Sequence, residues 1–175
     1  MLKAPAVKDK PTRIVGDKTG TMERVLADGL SPPGKPSFFK MRAPIPAQGN
    51  DRTLMAATDK VWLFLNTYAE NDGENLLHTH TNEDHSFVVL QGRARFFGPG
   101  GEAQEIGVNE GIMLPRGTFY TFEAVGGPLV MLRVGAVVDA AKNAFTRTLQ
   151  DGRAVHGNSK DNNAVDCVFS DQVFG

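Results

Sequence analysis

The chain has a single cysteine, Cys167, in 175 residues. One thiol excludes an intramolecular disulfide and any thiolate-built metal cluster, and it fits a reducing compartment. There is no run of about 18 apolar residues that could cross a bilayer as a helix. The opening MLKAPAVKDKPTR also lacks the uninterrupted apolar stretch of a secretory leader, so a soluble cytoplasmic protein with no membrane partner is expected. Basic excess is missing too: 19 Lys and Arg stand against 20 Asp and Glu, for a formal net charge of −1. Without a basic stripe or excess, a nucleic-acid partner is not expected. Internal repeats, low-complexity segments and long helical periodicity are absent as well.

What remains is enough for one globular domain. The apolar fraction is 41%, and a chain of this length can bury a sizeable core. Seven of the ten prolines (Pro5, Pro11, Pro32, Pro33, Pro36, Pro44 and Pro46) lie within the first 50 residues. Proline fixes its own φ and removes an amide donor, so the stretch from Pro32 to Pro46 can be neither a long helix nor a central strand. Residues 1–52 are expected to form an extended arm along the outside of the fold or along a partner subunit. One short helix is expected there over Met22–Ala27, capped by Thr21 and stopped by Gly29.

From Thr53 the texture becomes one of short strands and turn residues, as in an all-β barrel or sandwich. Strands are expected at Lys60–Ala69, Leu76–His80, His85–Leu90, Arg93–Phe97, Gln104–Ile106, Gly111–Leu114, Phe119–Ala124 and Leu129–Val134. The turn GPGG separates two of them. Residues 53–138 would make the barrel, with Trp62, Phe64, Phe96, Phe97, Phe119 and Phe122 in its core. Residues 139–175 would form an extension packed on it, with a helix over Asp139–Leu149 and a last edge strand over Val165–Phe174.

Three of the four histidines lie within eight residues, in LLHTHTNEDHSFVVLQG. Alternate residues of a strand share a face, so His78 and His80 project together, roughly 7 Å apart at Cα. Two imidazoles so placed can converge on one ion about 2.1 Å from each nitrogen. A polar turn over Thr81–Asp84 would return an adjacent antiparallel strand beginning at His85, and that hairpin would turn His85 to the same interior. Imidazoles left unsatisfied inside an apolar barrel would cost about 1–3 kcal/mol apiece, a cost that a shared divalent ion removes. Glu83 and Asp84 are expected to be solvated turn residues, and His156, in a polar tail, a surface residue.

The segment from Gly73 to Gly92 resembles the first motif of the cupin superfamily: glycine, His-x-His, three or four residues, glutamate, six residues, glycine. His78 and His80 match the pair, His85 stands where the glutamate would be, and Gly92 closes the motif. Gly73 is one residue nearer to His78 than the common pattern. The second motif, Pro-x-Gly, two residues, histidine, is matched by Pro115 and Gly117, with Tyr120 in place of the histidine. The resemblance covers residues 54–138 and implies a double-stranded β-helix, or jelly-roll barrel. It also implies a metal held by His78, His80, His85 and Tyr120.

Both departures bear on the chemistry. Three neutral imidazoles leave the ion its full +2 charge, which favours an anionic chelating substrate. Tyr120, in phase with Phe122, should point into the barrel. It could ligate as phenolate, act on substrate as a hydrogen-bonding catalytic group, or simply pack. Cupins with three-histidine sites include iron dioxygenases, so the resemblance implies a mononuclear non-haem Fe(II) dioxygenase acting on a small enolate, phenolic or carboxylate substrate. A non-catalytic cupin with a structural metal and a metal-dependent isomerase or hydrolase stay open. So do Zn, Mn, Ni and Co, since imidazole suits most of these ions. Cupins are often dimers, which implies a homodimer.

Overall fold

The computed structural model describes residues 12–14, 30–31, 33–139, 141–142, 146–156 and 165–175. Among these residues there are fourteen strands and no helix. Eight consecutive strands build the barrel: β4 (Val61–Tyr68), β5 (Gly73–His80), β6 (Glu83–Gln91), β7 (Ala94–Phe97), β8 (Ala103–Ile106), β9 (Gly111–Leu114), β10 (Tyr120–Ala124) and β11 (Leu129–Val137). They divide between two sheets in the orders β4-β11-β6-β9 and β5-β10-β7-β8. All these pairings are antiparallel. Because the chain passes back and forth between the sheets, the result is a double-stranded β-helix, the all-β fold expected.

Each sheet is extended at one edge. Beyond β4 lie β3 (Asn50–Ala57) and β1 (Thr12–Ile14), and beyond β5 lie β12 (Thr146–Leu149) and β13 (Ala154–His156). The expected helix over Asp139–Leu149 is therefore corrected, because its last four residues are β12, paired with β5. Asp139 does cap a turn, accepting the Ala141 N–H at 3.0 Å. However, Thr-Arg-Thr-Leu alternates with a period of two, and the otherwise open edge of β5 offers its backbone groups for pairing. The short helix expected over Met22–Ala27 lies outside the described residues.

The inner faces of the two sheets meet in one core that includes Tyr68, Phe87, Val89, Phe96, Tyr120, Phe122, Leu129 and Met131. Strand β6 shows the period-two rule plainly, with Glu83, His85, Phe87 and Val89 buried and the residues between them partly exposed. Strand β4 is apolar on both faces for a separate reason. The outer face of its sheet is covered by a two-stranded sheet of β2 (Ala43–Gln48) and β14 (Val168–Phe174). There Ala43 and Ile45 pack with Met55, Leu65 and Val130. The proline-bearing strand thus lies on its own barrel, and Pro44 and Pro46 sit in a two-stranded sheet rather than a central strand. Of the six aromatics expected in the core, Trp62, Phe64, Phe96 and Phe122 are buried. Phe97 and Phe119 are only partly so, being out of phase with their inward-facing neighbours Phe96 and Tyr120.

The two glycines that bracket the histidines are needed for close approach. A Cβ on Gly73 would stand 1.9 Å from the Phe122 carbonyl oxygen, and one on Gly92, at φ +81°, would stand 2.4 Å from that of Pro128. Gly101 has a similar φ of +84° but open space around it. Alanine at either left-handed position costs about 1–2 kcal/mol of backbone strain. Gly92→Ala is expected to cost a further ~1–3 kcal/mol through overpacking, so its urea midpoint should fall clearly below that of Gly101→Ala.

Candidate metal centre

His78 and His80 share the inward face of β5, as the spacing requires, and both are buried. His85 meets them by a different route from the one expected. β5 and β6 do not form a hairpin: β5 pairs with β10 and β12, whereas β6 pairs with β11 and β9. The chain crosses from one sheet to the other at Thr81–Asn82, and His85 faces His80 across the barrel interior. The ring centroids lie 4.9 Å apart for His80–His85 and 5.3 Å apart for His78–His80.

Tyr120 is the register partner of His78, and its hydroxyl shares a 3.0 Å hydrogen bond with His85 Nε2. It points into the barrel with Phe122, the two rings stacked nearly parallel at 6.5 Å.

The crossing is tied down from both sides. Asn82 Nδ2 donates to the carbonyl oxygens of Asp139 at 2.8 Å and Lys142 at 3.0 Å, and its Oδ1 accepts the Asp139 N–H at 2.9 Å. The Gly117 N–H, from the turn that resembles the second motif, donates to the His80 carbonyl at 2.9 Å.

Glu83 is the largest departure from expectation. It is not a solvated turn residue but the first residue of β6, fully buried. Its inward direction follows from its being in phase with His85, Phe87 and Val89, so the alternation of β6 carried a signal for it. Glu83 Oε1 accepts from Trp62 Nε1 at 3.2 Å and from the guanidinium Nη2 of Arg133, itself buried on β11. Oε2 lies 3.4 Å from His80 Nδ1, and Oε1 lies 3.9 Å from His85 Nδ1. Asp84 is likewise in β6 rather than in a turn, but its side chain is half-exposed, beside Arg116. His156 ends β13, opposite Thr146.

Arg133 and Arg147 were not singled out by the sequence, although Arg133 alternates in phase with the inward-facing Leu129 and Met131. Arg147 reaches the site from β12, where it is the register partner of His80. Its Nε–H donates to His78 Nε2 at 3.2 Å. That nitrogen is therefore an acceptor, and the His78 Nδ1–H donates to the Leu76 carbonyl at 2.7 Å. Both ring nitrogens of His78 are thus engaged.

His80 is different, since neither of its ring nitrogens has a hydrogen-bond partner, and the same is true of Glu83 Oε2. Ligand-capable atoms of His80, Glu83 and His85 all lie within 4.8 Å of one another, so these three side chains could hold a metal ion. Burial, reinforced by Arg147 and Arg133, holds the His80 imidazole well below the usual histidine range. Burial pushes the Glu83 carboxyl up, against the opposing pull of Arg133 and the Trp62 hydrogen bond. A neutral imidazole is the form that ligates a cation.

No protein-family model matches the chain, and no curated protein does. Solved structures similar to it include KdgF from Halomonas sp., at 17% identity and a TM-score of 0.47 over 50% of this chain and 78% of that one. A second is the cupin domain of Cnp3 from Schizosaccharomyces pombe, at 12% identity and a TM-score of 0.47 over 50% of this chain and 64% of that one. A third is a cupin superfamily protein from Desulfitobacterium hafniense, at 21% identity and a TM-score of 0.45 over 63% of this chain and 96% of that one. The strand order of the chain is itself that of a double-stranded β-helix. Among the described residues, no helix is long and apolar enough to cross a membrane.

Two outcomes are expected here. Glu83→Ala leaves Arg133 buried without its carboxylate and should destabilise the fold by about 3–5 kcal/mol. Asp84→Ala should cost about 1 kcal/mol or less; urea melts of the two variants check the contrast. In the metal-free protein at about pH 6, where a histidine of ordinary pKa near 6.5 is mostly protonated, His80 should remain mostly neutral by its ¹⁵N shifts. The unfolded chain binds that proton more readily, so through this group acidification below about pH 6.5 favours unfolding.

Proposed function

We propose that the barrel is a mononuclear metal centre in which His80 and His85 ligate one divalent ion and Glu83 supplies the compensating negative charge. The observation that carries this reading is the pair of unpartnered ring nitrogens on buried His80, beside a buried carboxylate and a second imidazole. Such atoms cost about 1–3 kcal/mol each if left unsatisfied, and an ion ligated by one nitrogen of His80 removes the cost at that nitrogen. Imidazole ligands suit iron among the first-row ions, and the resemblance of the histidine motif to three-histidine cupins implies an oxygenase. We therefore favour an iron-dependent dioxygenase acting on a small anionic substrate.

When bound, the ion would lower the substrate's pKa and supply the redox chemistry. The chain's own residues divide the remaining tasks. The aromatic lining of Phe87, Phe96, Tyr120 and Phe122 keeps the interior dry, which strengthens every charge interaction within it. Tyr120 holds a hydroxyl 3.0 Å from His85 Nε2, placed to orient a polar substrate atom that approaches the same nitrogen. Arg147, beside His78, adds positive charge on the β12 side. With a divalent ion bound and Arg147 beside His78, the interior would suit an anionic substrate better than a cationic one.

Elemental analysis of protein purified without a histidine tag tests the reading. A near-stoichiometric divalent metal is expected, lost in His80→Ala and kept in His156→Ala. Iron, accompanied by dioxygen uptake with small chelating acids or phenols, would support the oxygenase. Zinc in its place would remove the redox part of the proposal. A protein that takes up no ion on anaerobic reconstitution would overturn the metal centre.

A further inference from the structure

Glu83 is held in a manner that assigns it a narrower role than that of a counter-charge. Its Oε1 is anchored from two different strands, by Trp62 Nε1 of β4 and by Arg133 of β11. The anchor has a dedicated space. Gly135 of β11 lies opposite both Trp62 and His85 in the register. A Cβ at Gly135 would stand 2.2 Å from Trp62 Nε1 and 2.3 Å from Glu83 Oε1. The absence of a side chain there is what lets the indole and the carboxylate meet. Fixing Oε1 in this way aims Oε2 at the Nδ1 edge of His80, 3.4 Å away. His85 presents its own Nδ1 edge to the same carboxylate, at 3.9 Å, and its Nε2 edge to Tyr120.

We propose that Glu83 is a positioning residue that sets the tautomer of His80, keeping the proton on Nδ1 and the Nε2 lone pair toward the barrel interior. A neutral imidazole carries its proton on one nitrogen only, and the partner of that nitrogen decides which. A carboxylate facing Nδ1 favours Nδ1–H, leaving Nε2 as the ligating atom. Carboxylates that orient metal-binding histidines in this way commonly contribute 10–100-fold to metal affinity. The same arrangement on His85 makes its Nε2 the acceptor of the Tyr120 O–H. The role in ligation rests on the metal centre proposed above, but the tautomer does not.

The test has two arms. In the metal-free protein, ¹⁵N-edited spectra of the histidine rings at about pH 7.5, above the ordinary histidine range, should show His80 as the Nδ1–H tautomer. In Glu83→Gln, whose amide can donate to Nδ1, the population should move toward Nε2–H. Trp62→Phe keeps the ring packing but removes the anchoring N–H, so it should shift the tautomer in the same direction by less. In the second arm, a cobalt(II) titration of the same proteins should give about 10–100-fold weaker binding in Glu83→Gln, with a smaller loss in Trp62→Phe.

If the tautomer moves as expected but the native protein binds no cobalt, the positioning role stands and the metal centre falls. His80 found as Nε2–H in the native protein would overturn the assignment. So would a tautomer unmoved in a folded Glu83→Gln variant. Trp62→Phe supplies the same readout should Glu83→Gln fail to fold.

Discussion

A carboxylate inside a barrel has few ways to remain there. Transferring a charged group out of water costs several kcal/mol even after relaxation, and Glu83 meets that cost with a guanidinium from β11 and an indole N–H from β4. The ion pair is weak evidence for extra stability, since buried pairs often do no better than apolar residues of the same volume. What it does impose is geometry. It fixes where β6 starts and which face of β6 looks inward, and hence where His85 stands. Glu83 also sits one residue after the crossing that Asn82 ties to the segment following β11. Much of the site's shape follows from the need to keep this one group satisfied.

The parts of the fold legible in the sequence were those governed by local alternation. The strands around the histidines, the inward pairing of Tyr120 with Phe122, and the glycines bracketing the motif all follow from period-two patterning and steric crowding, which act over a few residues. The connection between His80 and His85 was not legible in that way. A four-residue polar stretch is equally compatible with a hairpin and with a passage between sheets, and only the pairing of β5 with β10 and of β6 with β11 distinguishes them. Glu83 escapes a local reading for a related reason: a turn over Thr81–Asp84 would take it out of the alternation that buries it. Arg147 depended on β12, where Asp139 looked like a helix cap but an open strand edge on β5 decided the outcome.

The site is thus assembled from distant stretches of chain with different claims on the same interior. β5 supplies His78 and His80, β6 supplies Glu83 and His85, β10 supplies Tyr120, and β11 and β12 each contribute an arginine. The segment resembling the cupin motifs contains most of these residues, but Arg147 lies beyond it. Its contact with His78 ties a strand outside the motif to the imidazole pair, so the extension after residue 138 contributes to the site itself.

The sheet of β2 and β14 joins residues far apart along the chain. Ser170 donates to the Ile45 carbonyl across a separation of 125 residues, and Gln48 reaches the Asp166 carbonyl across 118. Contacts of such span pay their loop-closure entropy late. During synthesis, domains organise from the N-terminal side as residues emerge, so the barrel strands are available before β14 is. Until then, the apolar outer face around Leu65 and Val130 lacks the cover that Phe174 adds to that of Ala43 and Ile45. The interval between completion of the barrel and arrival of residue 174 is therefore when a nascent chain is most exposed to self-association, and a ribosome stalled between β11 and β14 would present that face for as long as it paused.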